Sequence, residues 1–336
     1  METSKKTALV ISGGGCKGAF AVGIIRYLYR TYREIGWFSI VGGTSTGALI
    51  APLAALLAAP PPMAGDALEN LVELYSNVQT SDILKKKRFF TLLLRPDSLF
   101  RNNPLRRLLS IHFRMEWFEW LQKPESPDCY VVYTDFRNGK KVYASPHDPG
   151  MTHKRFIQCM LASASVPVVM EGTRIDGHVC YDGGIRDLLP FGRSINLGAE
   201  TIVPIYLDPE ELSESDGAFS RLDKVLLRTL SIMVDETGLN DYEMASLINM
   251  GIRLKQEILE EFDGEPVCIE RLHKIFSKDL YFNLIGPGKR LVNIIEGLRP
   301  DKVLTDDSLT FKPSEMRKWI KRGENKAAEI IAESPF

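Results

Sequence analysis

The residues best placed to do chemistry in this chain are a serine and an acid, each set among glycines. Gly43-Thr44-Ser45-Thr46-Gly47 follows the short apolar run Ser39-Ile40-Val41 and precedes the Ala-rich run from Ala48 to Ala59. A G-x-S-x-G at a strand-to-helix junction permits a sharp turn that exposes the serine hydroxyl as a nucleophile. An N-cap serine for the following helix is the bland alternative for Ser45, although a cap needs no glycine on both sides. Attack on an ester builds negative charge on the carbonyl oxygen, which preorganised N–H donors must meet. Gly13-Gly14-Gly15-Cys16-Lys17-Gly18 lies between a strand-like run and a helix-like one, and offers the backbone N–H groups of Gly14 and Gly15. The same glycines fit the G-x-G-x-x-G of a dinucleotide site. That site needs an acid near the end of the second strand, whereas this one ends in Gly42-Gly43-Thr44.

A serine hydroxyl also needs a proton acceptor. The five histidines are His112, His147, His153, His178 and His273. None sits in a turn with small neighbours, and His178 is the best of them. Asp182-Gly183-Gly184 is the stronger candidate, since it follows the apolar Val179-Cys180-Tyr181 and its glycines allow close backbone approach. A surface Asp-Gly turn is the competing account of those residues.

Elements that position these groups alternate along the chain. Thr7 to Ser12 is a β-branched apolar run that stops at the three glycines, a buried strand. Phe20, Ile24, Ile25, Leu28 and Tyr32 give Gly18 to Tyr32 a helical spacing. Ser39 to Val41 is a second strand, and Ala48 to Ala59 a buried helix stopped by Pro60-Pro61-Pro62. Strand, helix, strand, helix argues for a parallel sheet with helices on its faces. Adjacent parallel strands then put both glycine turns at one carboxyl edge, where open α/β sheets place their sites. Further on, helices are expected over 66–79, 104–122 and 154–164, and a hairpin around Asn138-Gly139. Strand-rich turns follow over 173–184, a strand over 201–207 and an acidic loop over 208–216. Helices should dominate from Leu222 to about Glu261, with a strand over 280–285 and a closing helix from Pro313 to Ala332.

The 336 residues, 44% hydrophobic and 25% charged, suit a well-buried core. A net charge of −1 excludes an overall electrostatic nucleic-acid binder. Five unpaired cysteines and the lack of a secretory pattern fit a soluble cytoplasmic protein, able to sit peripherally at membranes. No metal-binding spacing is present, and no cofactor or metal is expected.

Taken together, G13-G-G-C-K-G18, G43-T-S-T-G47 and D182-G-G184 resemble the patatin-like phospholipase family. Ala162-Ser163-Ala164-Ser165-Val166-Pro167 is similar to the small-residue segment that the family places ahead of its DGG. Asp187-Leu188-Leu189-Pro190 resembles the stretch after it, where the family often has asparagine. The resemblance covers about residues 7–207 and implies an α/β, patatin-like three-layer fold with a central mostly parallel sheet flanked by helices. It implies a catalytic domain over 7–207, with 208–336 a mainly helical part packed on the same core; a separate helical domain after about residue 208 is the alternative. It also implies a lipid acyl hydrolase of the phospholipase A or lysophospholipase type. Ser45 would be its nucleophile and Asp182 its base, Gly14 and Gly15 would hold the oxyanion, and no histidine would take part. Gly13, Gly18, Gly43, Gly47, Gly183 and Gly184 complete the motifs, and Lys17 is a candidate contact for a phospholipid phosphate, with a solvated first-turn lysine as the equal alternative. A non-catalytic lipid-binding or scaffold protein on the same fold is the alternative.

Residues 85–114 hold nine basic residues (Lys85, Lys86, Lys87, Arg88, Arg95, Arg101, Arg106, Arg107, Arg114) against the single acid Asp97. Phe89, Phe90 and Phe100 are interleaved, and Phe113, Trp117, Phe118 and Trp120 follow. Basic residues beside aromatics suit an anionic membrane interface, so residues 85–120 are a candidate docking face. The competing account is a helix pair that covers the core with its aromatics.

Overall fold

The computed structural model describes residues 6–33, 37–87, 97–210, 222–262, 265–278, 290–295 and 298–333. The elements are β1 (Thr7–Ile11), α1 (Gly18–Tyr32), β2 (Ile40–Thr44), α2 (Thr46–Ala55), α3 (Met63–Asn77), α4 (Thr80–Ile83), β3 (Lys85–Lys86), β4 (Phe100–Arg101), α5 (Asn103–His112) and α6 (Met115–Leu121). They continue as β5 (Asp128–Asp135), β6 (Lys140–Ala144), α7 (His153–Ser163), β7 (Thr173–Ile175), β8 (His178–Asp182), α8 (Phe191–Asn196), β9 (Thr201–Ile205), α9 (Leu222–Glu261), α10 (Pro266–Phe276), β10 (Asn293–Ile294) and α11 (Pro313–Glu333).

β10, β9, β1, β2 and β5 are parallel neighbours in that order. Alternate side chains bury into two layers, as a sheet covered on both faces requires. Leu9, Ile11, Val41 and Val131 face a large core with residues of α1, α2, α3, α7 and α11. Ala8, Val10, Ile40 and Val132 face a second one with Phe191 of α8 and Ala245 of α9. The result is a three-layer α/β fold with a mostly parallel sheet.

The pairing around β5 fixes the later geometry. β6 runs antiparallel along β5 from Val131 to Asp135. β2 pairs β5 as far as Thr44 opposite Val132. β8 pairs β5 antiparallel from Tyr133, which stands opposite Asp182. A strand has two edges, and β6 holds one of them from Val131 to Asp135, across the stretch where β2 ends and β8 begins. β2 and β8 therefore share the other, and they meet end to end where Thr44 and Asp182 stop.

Several expected boundaries shift. β2 runs on through Gly42 and Gly43, because the Tyr130 ring lies where a Gly42 side chain would stand. The helix expected over 104–122 is two helices, α5 and α6, divided at the extended Phe113 and Arg114. Phe113, Trp117, Phe118 and Trp120 are buried in the core, so they are not available to a membrane. Lys87 is buried too, and pairs with Asp97 and Glu171. Lys85, Lys86, Arg106 and Arg107 are exposed. Residues 88–96 lie outside the described residues, as do the strand expected over 280–285 and the 211–216 part of the acidic loop. β10 and α10 carry no clear sequence signal. Among the described residues, no helix is long and apolar enough to cross a membrane.

After 208, α9 and β10 add to the smaller core and α11 to the larger one. α11 crosses α1 closely, because each helix offers a glycine to the other. A Cβ on Gly23 would run into the Ile320 carbonyl oxygen, and one on Gly323 into that of Phe20. Gly23→Ala gains helix propensity of up to about 1 kcal/mol but overpacks this crossing at a cost of about 1–3 kcal/mol or more. A net loss of about 1–2 kcal/mol is expected in urea unfolding. A more stable variant would contradict the close crossing.

Candidate functional site

Ser45 stands between β2 and α2 with φ 56° and ψ −121°. This left-handed conformation is uncommon for a residue with a side chain and clusters at functional sites. The turn is possible because Gly43 and Gly47 press together: a Cβ on Gly43 would strike the Gly47 carbonyl, and one on Gly47 the carbonyl of Ile11. Ser45 makes no side-chain cap to α2, which removes the N-cap account of it. Its own N–H donates to Ser163 Oγ at 3.0 Å.

Asp182 ends β8 beside it. The carboxylate is buried, lines the same cavity as Ser45, and accepts Gly184 N–H at 2.8 Å through Oδ1. Burial pushes the Asp182 carboxyl up to about 6, while the hydrogen bonds from Ser45 and Gly184 pull it down. The Asp182 N–H donates to the Ser165 carbonyl at 2.9 Å. One small-residue segment, Ser163 to Ser165, thus holds both groups. Gly183 lies hard against the Val132 carbonyl and the Thr44 methyl, which lets the chain turn away where β2 and β8 meet.

The first glycine turn sits against Ser45. A Cβ on Gly13 would approach Ser45 Cβ to 3.0 Å. Gly14 and Gly15 line the same cavity as Ser45 and Asp182, and their N–H groups find no acceptor among the described residues. Gly15 has φ 58° and is braced from behind, where Cys16 N–H donates to the Ser308 carbonyl at 2.8 Å. Gly18 starts α1 against Thr46 and Tyr75. Lys17 pairs with Asp208.

No histidine hydrogen-bonds Ser45 or Asp182 among the described residues. His178 Nδ1 is 3.1 Å from Asp135 Oδ2, at the opposite end of β8. His112 lines the cavity, a position that the sequence did not suggest, but its Nδ1 is engaged by Asn70 Oδ1 at 2.7 Å. Away from its polar end the cavity is walled by Leu49, Leu53, Leu74, Leu105, Leu109, Phe113 and Met160. It suits an apolar chain lying next to Ser45.

A second pair of acids, Asp187 buried and Asp241 half-buried, supports the turn from below. The Thr44 hydroxyl donates to the Asp187 carbonyl at 2.9 Å. The Asp187 carboxylate meets Lys141 at 2.7 Å and the Tyr143 hydroxyl. Asp241 of α9 accepts the N–H groups of Leu188 and Leu189 at 3.0 and 3.2 Å. Burial and the nearby Asp187 raise the Asp241 carboxyl well above its usual range. Ser163, Ser165, Ser308, Asp208 and Asp241 had no assigned role in the sequence. Only the small-residue run around Ser163 stood out there. Among the described residues no group of three or more His, Cys, Asp or Glu is placed to hold a metal.

A family model described as patatin-like phospholipase matches residues 9–193. The uncharacterized protein L620 of Acanthamoeba polyphaga mimivirus is 43% identical over 49 residues, so the match spans only 14% of this chain and 13% of that protein. VipD from Legionella pneumophila has a similar fold, with a TM-score of 0.52 and 12% identity over 98% of this chain and 67% of VipD. A chain of the SpcU–ExoU complex from the type III secretion system of Pseudomonas aeruginosa is 16% identical over 94% of this chain and 70% of its own length, but its TM-score of 0.30 is too low to bear on the fold.

Asp182 also makes stability depend on pH. Unfolded, it titrates near 3.8; folded, near 6. Between those values the folded protein binds more protons than the unfolded chain, so stability falls as pH rises and the full cost is reached above about 6. That cost is on the order of 3 kcal/mol. Asp182→Asn removes it and should stabilise the fold at pH 7.5 by about 2 kcal/mol relative to wild type, with a much smaller gain near pH 4. Urea unfolding at the two pH values checks this, and equal stabilities at pH 7.5 would contradict it.

Proposed function

The chain belongs to the patatin-like phospholipase family, and on that premise we propose that it is a lipid acyl hydrolase working through Ser45 and Asp182. One observation carries the reading: Ser45 and a buried carboxylate that its side chain acts on stand together at the polar end of an apolar cavity. The acyl chain of a phospholipid or lysophospholipid lies along the Leu and Phe wall. Its carbonyl carbon then comes to Ser45 Oγ, and its oxygen to the N–H groups of Gly14 and Gly15.

Each step follows from these contacts. Ser45 Oγ attacks the carbonyl carbon as its proton passes to Asp182, and the oxyanion is held by the two N–H groups. Asp182 returns the proton to the leaving alcohol, and an acyl ester on Ser45 remains. Water, losing its proton to Asp182, attacks that ester. The fatty acid leaves as the proton goes back to Ser45. A carboxyl of ordinary pKa is a weak base at neutral pH. Burial brings Asp182 closer to the working range while leaving it ionised at pH 7 and above.

Ser45→Ala should abolish covalent labelling by a fluorophosphonate and all lipid-ester turnover. Asp182→Asn should lower kcat by about 10²–10⁴, and His178→Ala should stay within about threefold of wild type. Wild-type kcat/KM should climb with pH and level off above about 6, where Asp182 is ionised. Well-folded protein that takes no label would favour a lipid-binding role instead. Loss of turnover in His178→Ala with Asp182→Asn active would replace the dyad by a triad. A Ser163→Ala variant leaves the Ser45 N–H without its acceptor in a buried turn, at about 1–3 kcal/mol. Turnover should fall about tenfold or more, and a variant as fast as wild type would remove Ser163 from the list of groups that position Ser45.

A further inference from the structure

β9 lies beside β1 on the side away from β2, and its chain runs on past the buried Leu207 to Asp208. Three adjacent parallel strands therefore deliver Asp208, the first glycine turn and Ser45 to one edge of the sheet. Asp208 pairs there with Lys17, whose side chain is 10% exposed against 25% for its partner. Both line the cavity that holds Ser45 and Asp182. The Lys17 stem crosses the glycine turn, with Cε 3.3 Å from where a Cβ on Gly14 would stand.

A lysine in the first turn of a helix opposes the helix dipole, and a mostly buried ammonium needs a counter-charge. Among the described residues Asp208 is the acid that Lys17 meets. The expectation that Lys17 meets a phosphate is thus incomplete, because its charge is already balanced. The cation and anion together form a unit of no net charge next to the oxyanion donors. A zwitterionic or uncharged group can lie against such a pair. A group carrying only negative charge must either take Lys17 from Asp208 or sit beside the displaced carboxylate.

We propose that Asp208 is a specificity-determining residue: by holding Lys17 it selects lipid esters whose headgroup carries no net charge over anionic ones. The inference rests on Ser45 being the nucleophile of an acyl hydrolase.

The test uses two short-chain substrates with the same acyl groups, one with a phosphocholine and one with an anionic phosphoglycerol headgroup. Both are presented in micelles of uncharged detergent so that surface charge stays constant. Asp208→Asn is expected to raise the anionic-to-zwitterionic ratio of kcat/KM by about tenfold, the scale of one charge contact at a partly desolvated site. Asp208→Glu, which keeps the charge, should hold the wild-type ratio. In wild type alone, the phosphocholine lipid should protect Ser45 from a fluorophosphonate at about tenfold lower concentration than the phosphoglycerol lipid. Equal protection by the two lipids, or a ratio that Asp208→Asn leaves unchanged, overturns the role of Asp208 while leaving the hydrolase intact. A wild type that neither turns over lipid nor takes the label overturns both.

Discussion

One edge of β5 cannot be paired twice along the same residues. β6 fills the opposite edge, so β8 takes up β5 only where β2 lets go, between Val132 and Tyr133. The end of each strand is therefore set by the other. Ser45 follows the last residue of β2 and Asp182 is the last residue of β8, and the two meet although 137 residues separate them in the chain. Almost everything else around the site accommodates that junction. Gly183 clears the way for the turn, Ser163 and Ser165 hold its two sides, and the Asp187 carbonyl takes the Thr44 hydroxyl just before Ser45.

The same region holds an unusual density of acid groups away from water. Each is dealt with differently. Asp182 is left with hydrogen bonds and no cation, which keeps it basic. Asp187 is given Lys141 and the Tyr143 hydroxyl, and Asp241 two backbone N–H groups. Asp208 is given Lys17. Buried charge without such partners would cost several kcal/mol per group. Asp182 and Asp241 are both raised by burial, and of the two it is Asp182 that lines the cavity beside Ser45.

Local signals were legible where one segment carries its own pattern. The bounds of α1 follow from its apolar spacing and the glycines before it, and the β5–β6 hairpin from Asn138-Gly139. The three glycine motifs pointed to the residues that the fold brings together, because sharp turns at strand ends demand small residues whatever surrounds them. Ser163, Ser165, Asp208 and Ser308 were not legible as part of the site. Each acts through a single contact made by tertiary pairing, and a lone serine or aspartate carries no periodicity to mark it. The aromatics of 113–120 were ambiguous in the sequence, with the core-facing account the favoured one. Their spacing fits both a core-facing stripe and a membrane face, and the packing of α6 decides for the core.

The brace behind Gly15 comes from Ser308, and the cover over α1 from α11, both nearly the whole described chain away from the turn they support. Contacts between segments so distant form late when a chain folds, since the sheet between them must close first. They lie outside the ladder, and releasing α11 and Ser308 would break none of the hydrogen bonds between parallel strands. α11 shares its core with the sheet, since Met316, Trp319 and Ile320 pack in one cluster with Leu9, Ile11 and Val41. A change in α11 or at Ser308 therefore reaches the glycine turn without passing through a strand pairing.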